Sequence, residues 1–160
     1  MKTISSKKIV YSLDRSHPPV LEIESSEEIL FETYDARTGT IRSANDLLDR
    51  PHPKGSNPAT GPVFINGAEP GNSLAVEIPN IDLADTGFLA VKQGVGLLAH
   101  MTTGFATRIV PIKENTVHFS DHLSFPARPM VGVIGTAPEG KGIETAFPGV
   151  HGGNMDNRYV

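Results

Sequence analysis

The 160-residue chain has no cysteine, so disulfides and thiolate chemistry are both excluded. It has no apolar run near the ~20 residues that a membrane helix needs. Its first ten residues carry lysines but no apolar stretch of the kind found in a secretion signal. No block of like charge suggests an acidic or basic tail. A net charge of −4 and a pI near 5.8 argue against a nucleic-acid partner, which would favour a basic surface. No Gly-x-Ser-x-Gly elbow occurs to hold a serine nucleophile. Gly132-Val133-Ile134-Gly135-Thr136-Ala137 lacks the G-x-G-x-x-G spacing of a phosphate cradle. No internal repeat is visible. The expectation from these absences is a soluble cytoplasmic protein that binds neither nucleic acid nor membrane.

Glycine and proline are plentiful, at 16 and 13 residues, and are spread along the chain between short apolar runs. That punctuation predicts a mainly β domain, sandwich- or barrel-like, with little helix. We read residues 1–160 as one β-rich domain. Lys8–Leu13, Val20–Glu24 and Ile29–Tyr34 are expected to be the first three strands, and Ala44–Arg50 one or two helical turns. His52–Gly61 is expected to be loop. Val63–Asn66 and Leu74–Pro79 should form a hairpin around Gly67–Asn72, with Pro70-Gly71 at the centre of a type II turn. Phe88–Met101 has no clear period. Ala106–Ile112 and Thr116–Phe119 should form a strand pair joined at Lys113–Asn115, and Met130–Gly135 a buried strand.

The richest stretch is His151-Gly152-Gly153-Asn154-Met155-Asp156, four residues before the chain stops. An imidazole and a carboxylate are ligands for a hydrolytic divalent metal, and paired glycines accept positive φ, so the two side chains can turn toward one point. The same residues also fit a tight surface turn with a hydrated Asp156 and a neutral His151. Asn154 suits either substrate contact or capping of the turn. Asp35, where a strand leaves the sheet, suits either a displayed catalytic acid or an Asx-turn. Glu69 is expected to be solvated in its turn and His100 to be buried or half-buried. His118 and His122 would share a helix face, but Phe119, Phe125 and Pro126 point to strand and loop, against metal binding there.

Several motifs agree in order and spacing. They are Phe31–Ala36, Thr60–Asn72 with its Gly-Ala-Glu-Pro-Gly core, Arg128–Pro138, and Pro148-Gly149 leading into His151–Asp156. Together, from about Val20 onward, they resemble the acetamidase/formamidase family, metal-associated hydrolases of short aliphatic amides. The resemblance implies hydrolysis of a small formamide- or acetamide-like substrate to carboxylate and ammonia through a metal-activated water. It implies Asp35, His151 and Asp156 as metal ligands, with Asp35 and Asn154 catalytic, and a divalent cofactor, zinc in the first instance. The absence of cysteine fits an activated-water mechanism. The family's complete members are longer, so the chain is expected to be the first part of a larger β-rich fold, interrupted at its C-terminus. Arg158–Val160 look like the opening of a further strand. A homo-oligomer or a complementing second chain would then finish the sheet and the site. The alternative is an incomplete or naturally short member acting as a non-catalytic binding or structural module.

Overall fold

Short apolar runs cut by prolines and glycines can only build short strands, and the computed structural model, which describes residues 1–155, consists of them. Fourteen strands are present among the described residues, with one single-turn 3-10 helix at Ala99–Met101. The mainly β class with little helix holds. The strands form one four-stranded sheet and five two-stranded ones. Two compact units result. Unit 1 comprises residues 1–38, 54–78 and 131–160, and unit 2 comprises 39–53 and 79–130.

Unit 1 is woven from distant segments. β1 (Lys2–Ile4) runs parallel to β5 (Ile29–Phe31), and β4 (Leu21–Ile23) runs parallel to β7 (Val63–Ile65). β2 (Ile9–Val10) pairs antiparallel with β6 (Ala59–Thr60), and β3 (Ser12–Leu13) with β13 (Ile143–Glu144). β12 (Val133–Gly135) pairs antiparallel with β14 (Gly152–Asn154). Ile4 and Ile23 are its buried aliphatic residues. Thr145 is fully buried at 0% exposure. Its N–H and Oγ1 both donate to the Tyr11 carbonyl, at 3.1 and 3.2 Å, so the chain's late segment is tied to its early one.

Unit 2 is local by comparison. β8 (Thr86–Val91), β9 (Ala106–Lys113), β10 (Thr116–Ser120) and β11 (Leu123–Pro126) follow one another as an antiparallel meander. Glu114 and Asn115 turn β9 into β10 with both φ positive, at 48° and 56°, the backbone of a two-residue type I′ hairpin turn. Arg108 lies 4.6 Å above the Phe119 ring, and its Nη1 donates to the Phe119 carbonyl at 3.0 Å. That cation–π contact is worth ~0.5–1 kcal/mol at an exposed site. Val110 and Ile41 are the buried aliphatics here.

Several expectations are corrected. Lys8–Leu13 is not the first strand, because Lys2–Ile4 precedes it. Ala44–Arg50 forms turns and no helix. Asp46 Oδ2 accepts the N–H groups of Arg42 and Ser43 at 2.9 and 2.8 Å and the Ser43 hydroxyl at 3.0 Å, a local bonding pattern that competes with helix. The Pro70-Gly71 turn forms, with Asn72 N–H donating to the Glu69 carbonyl at 3.0 Å and Gly71 at φ 93°. The hairpin does not form, because Val63–Ile65 pairs with Leu21–Ile23 while Leu74–Ile78 belongs to no strand. The Phe88–Met101 stretch resolves into most of β8 and the 3-10 turn. Of Met130–Gly135 only Val133–Gly135 is strand, and it is half-exposed, with Ile134 open to solvent. Its partner is the short Gly152–Asn154 strand, whose first two residues are glycines and supply no side chain to cover it. His100 is exposed in the 3-10 turn. Arg158–Val160 lie outside the described residues.

Candidate functional site around His151

Glycine spacing shapes the neighbourhood of His151. Gly149 and Gly152 exchange two backbone hydrogen bonds, at 2.8 and 3.0 Å, which closes a tight turn with Val150 and His151 at its tip. Val150 projects fully into solvent, while His151 is buried at 7% exposure. The imidazole folds back over glycines. A Cβ on Gly149 would stand 2.6 Å from Cε1 and 2.7 Å from Nδ1 of the ring, and a Cβ on Gly153 would stand 3.3 Å from Nε2 and collide with the Phe147 carbonyl. Gly152 and Gly153 adopt φ 97° and 94°, a region costly for residues with a Cβ. The His151 carbonyl accepts the Thr136 N–H at 2.9 Å, and Met155 N–H donates to Gly132 at 2.7 Å, so the motif is held against β12 on both sides.

The chemistry sits on one atom. His151 Nε2 is buried and has no hydrogen-bond partner among the described residues. Leaving such a group unsatisfied costs ~1–3 kcal/mol, and native structures rarely leave one without a role or a ligand. A metal ion is one group that fills such a vacancy, because neutral imidazole Nε2 is a common ligand atom. The donor chemistry and the glycine-lined space therefore fit a divalent metal at His151.

The other expected site residues fare differently. Asn154 lies at the end of β14, opposite Val133, two strand positions from Gly152. Asp35 is exposed, and its Oδ1 accepts the Arg37 N–H at 2.7 Å while its carbonyl accepts the Thr38 N–H at 2.9 Å. That is the Asx-turn geometry, and it lies four residues past the end of β5. Asp156 lies outside the described residues. Among the described residues no three His, Asp or Glu side chains come together as a metal-holding group. Glu69 is solvent-exposed, as are His118 and His122. An open hollow of about 510 Å³ on unit 2 is lined by Arg108, His118, Phe119 and Asp121 among others. Its arginine is already engaged with Phe119, and it has nothing comparable to the buried His151 nitrogen, so we place the site at His151.

Sequence reasoning named Gly149 and Gly153 only as turn residues and missed that a Cβ on either would crowd the His151 ring; it missed Thr145 altogether. Thr145 ties the segment ahead of the site to Tyr11 and Ser56, and its pattern gave no signal.

With this geometry in place, comparison with known proteins defines the class. The fold is that of three crystal structures. An acetamidase from Bacillus halodurans superposes with a TM-score of 0.93 at 34% identity, covering 96% of this chain and 52% of that one. A predicted acetamidase/formamidase from Thermoanaerobacter tengcongensis gives 0.92 at 37% identity, with 97% and 52% covered. An acetamidase from Yersinia enterocolitica gives 0.75 at 26%, with 97% and 52% covered. No curated protein matches. The acetamidase/formamidase family model matches residues 5–156, and the chain belongs to that family. It spans about half the length of the solved structures it matches.

Proposed function

We propose that the chain carries the active site of a metal-dependent amidase that hydrolyses small aliphatic amides, of the formamide or acetamide kind, to carboxylate and ammonia. The observation that carries this reading is the buried, unpartnered Nε2 of His151 inside the glycine-lined turn of a family-matched segment. Family membership and the acetamidase structures support amide chemistry in general.

In this reading His151, with Asp156 and Asp35, would hold a divalent metal, zinc first. When bound, such an ion lowers the pKa of a coordinated water and polarises a carbonyl oxygen. The rest falls to the protein. His151 presents one buried nitrogen, its ring lying where a Cβ on Gly149 or Gly153 would crowd it. Asp35 supplies a carboxylate that can accept a proton from the attacking water. The Asn154 amide can donate to the substrate carbonyl or accept from its NH2 group. The substrate is small and neutral, so orientation by such hydrogen bonds matters more than charge steering.

A second reading draws on a specific observation. Among the described residues the ligand set stops short of three, and the relatives have about as much chain again. The site would then be completed by a complementing polypeptide or a second copy of this chain, and the chain alone would serve as a non-catalytic module. Ammonia release from formamide and acetamide, with metal content measured on the same sample, tests both readings. Release that disappears on chelation and in His151→Ala supports the first. Metal binding without ammonia release supports the second. Absence of both refutes the site.

A further inference from the structure

Asn66-Gly67 falls where β7 ends and the Gly-Ala-Glu-Pro-Gly turn begins. Both residues are exposed. A glycine in second place leaves its amide nitrogen unshielded by any side chain of its own. That nitrogen is also uncommitted, because among the described residues the Gly67 N–H makes no hydrogen bond. The space beside it is open, with nothing within 4 Å of where a Cβ would stand. One residue earlier lies an electrophile, the side-chain amide carbon of Asn66. That amide is tethered elsewhere: its Nδ2 donates to Glu24 Oε1 at 2.8 Å.

We propose that Asn66 is a site of spontaneous deamidation and that Glu24 restrains it. The Gly67 nitrogen forms a bond to Cγ of Asn66 and gives up its proton. The Cγ–Nδ2 bond breaks, and Nδ2 leaves as ammonia with that proton. Water then opens the resulting five-membered imide. Addition at the side-chain carbonyl leaves aspartate at position 66, and addition at the main-chain carbonyl leaves isoaspartate. Nothing is oxidised or reduced, and solvent water is the only co-reactant. The reaction yields a single equivalent of ammonia per chain without added substrate, so it does not rest on the amidase reading.

Glu24 acts on this step in two ways. It holds Nδ2 in a hydrogen bond that must be given up before the amide leaves. Its carboxylate also repels the negative charge that develops on the attacking nitrogen and on the tetrahedral intermediate. Once the reaction is complete, the same contact turns unfavourable, because two carboxylates now face each other. The backbone is affected too. Asn66 N–H donates to the carbonyl of buried Ile23 at 2.8 Å, just past the Ile23–Ile65 pair that ends the parallel β4–β7 ladder. Isoaspartate adds a carbon to the main chain at this point, so the modification loosens the end of that ladder.

The test incubates the 160-residue chain and its Glu24→Gln variant in weakly alkaline buffer, with and without urea. Digests are read by mass spectrometry with fragmentation that separates aspartate from isoaspartate. In the native parent both acids should accumulate at position 66, faster than any acid at position 72. There a serine follows, and Asn72 Oδ1 is engaged by the Glu69 N–H at 2.9 Å. Glu24→Gln keeps an acceptor for Nδ2 but removes the charge, and should raise the native rate about fivefold. In urea the two proteins should convert at one rate, because residues 42 positions apart no longer meet. In the isoaspartate fraction the position-66 amide should exchange about tenfold faster than in the parent. Absence of acid at position 66, or equal conversion at position 72, would overturn the assignment of the site. An unchanged or lower native rate in Glu24→Gln, or a difference between the two proteins that persists in urea, would overturn the role of Glu24. Retained protection of the position-66 amide after isomerisation would overturn the loosening of the ladder.

Discussion

Replacing Gly149 and Gly153 by alanine, one at a time, separates what builds the His151 pocket from what merely surrounds it. Gly153 sits at φ 94°, where a residue with a Cβ costs roughly 1–2 kcal/mol. Its new methyl would also collide with the Phe147 carbonyl. Backbone does not yield as a side chain does, and overpacking of that kind adds about 1–3 kcal/mol. Gly153→Ala is therefore expected to lose about 2–5 kcal/mol. Gly149 has ordinary φ, and its methyl would meet only the imidazole, 2.6 Å from Cε1. The ring can swing away at ~0.5–1.5 kcal/mol of rotamer strain. Once outside, Nε2 regains water and recovers ~1–3 kcal/mol of lost solvation. Gly149→Ala should then be near neutral in stability, within about 1 kcal/mol, while emptying the site. The chain has no tryptophan and three tyrosines, none of them within residues 39–53 or 79–130 of unit 2, so tyrosine emission during urea unfolding does not report on unit 2 and follows the right unit through Tyr11 and Tyr34. Proton NMR of the His151 ring shows whether it has left its pocket. Equal destabilisation by the two alanines, or a ring still shielded in Gly149→Ala, would refute the account of the site.

Other consequences are open to direct measurement. Val110→Ala in the buried row of β9 should cost about 1–3 kcal/mol by loss of packed methyls, whereas Leu97→Ala, at a side chain 99% exposed, should stay within about 0.5 kcal/mol; urea unfolding of the two variants compares them. Changing Glu114 to Asn together with Asn115 to Gly should stabilise unit 2 by ~1 kcal/mol, since both positions hold positive φ and Asn-Gly favours this turn; a lowered unfolding midpoint would contradict the turn assignment. The Asp46 carboxyl is held below its ordinary value, first by the Arg42 N–H, then by the Ser43 hydroxyl and N–H. A depressed folded value means the stabilisation is complete above the unfolded value and is lost as pH falls through the folded one. The Arg42 and Ser43 amides should thus exchange faster as pH drops below about 4, after correction for intrinsic rates, and Asp46→Asn should abolish that pH dependence. Chelation should leave stability unchanged in His151→Ala but lower it in the metal-loaded parent, as thermal melts with and without chelator would show.

What could be read from the sequence depended on how local the deciding interaction was. The Ala106–Ser120 pair was legible because both strands and their turn lie within a few residues of each other. The β1–β5 and β3–β13 pairings were not, since nothing in Lys2–Ile4 or Ser12–Leu13 names a partner so far along the chain. Leu74–Ile78 shows the same limit from the other side: its alternation is that of a strand, but pairing is a property of two segments. Ala44–Arg50 misled because Asp46 spends its carboxylate on Arg42 and Ser43, a choice that helix propensity does not weigh. At the site, the ligand-competent residue types and the glycines were visible in His151–Asn154. The burial of one imidazole nitrogen was not, because it follows from the Gly149 and Gly153 backbones folding over the ring.

The contact between Tyr11 and Thr145 joins residues 134 positions apart. A ribosome adds about 5–20 residues per second, so the early strands of unit 1 emerge roughly 7–27 s before the segment that fastens them. Meanwhile the β8–β11 meander, with its short-range pairings, can close as soon as it is made. Translation speed and chaperone access during that interval therefore bear on unit 1 far more than on unit 2. A nascent chain stalled before Thr145 should show a protease-resistant meander beside N-terminal strands that are still digested.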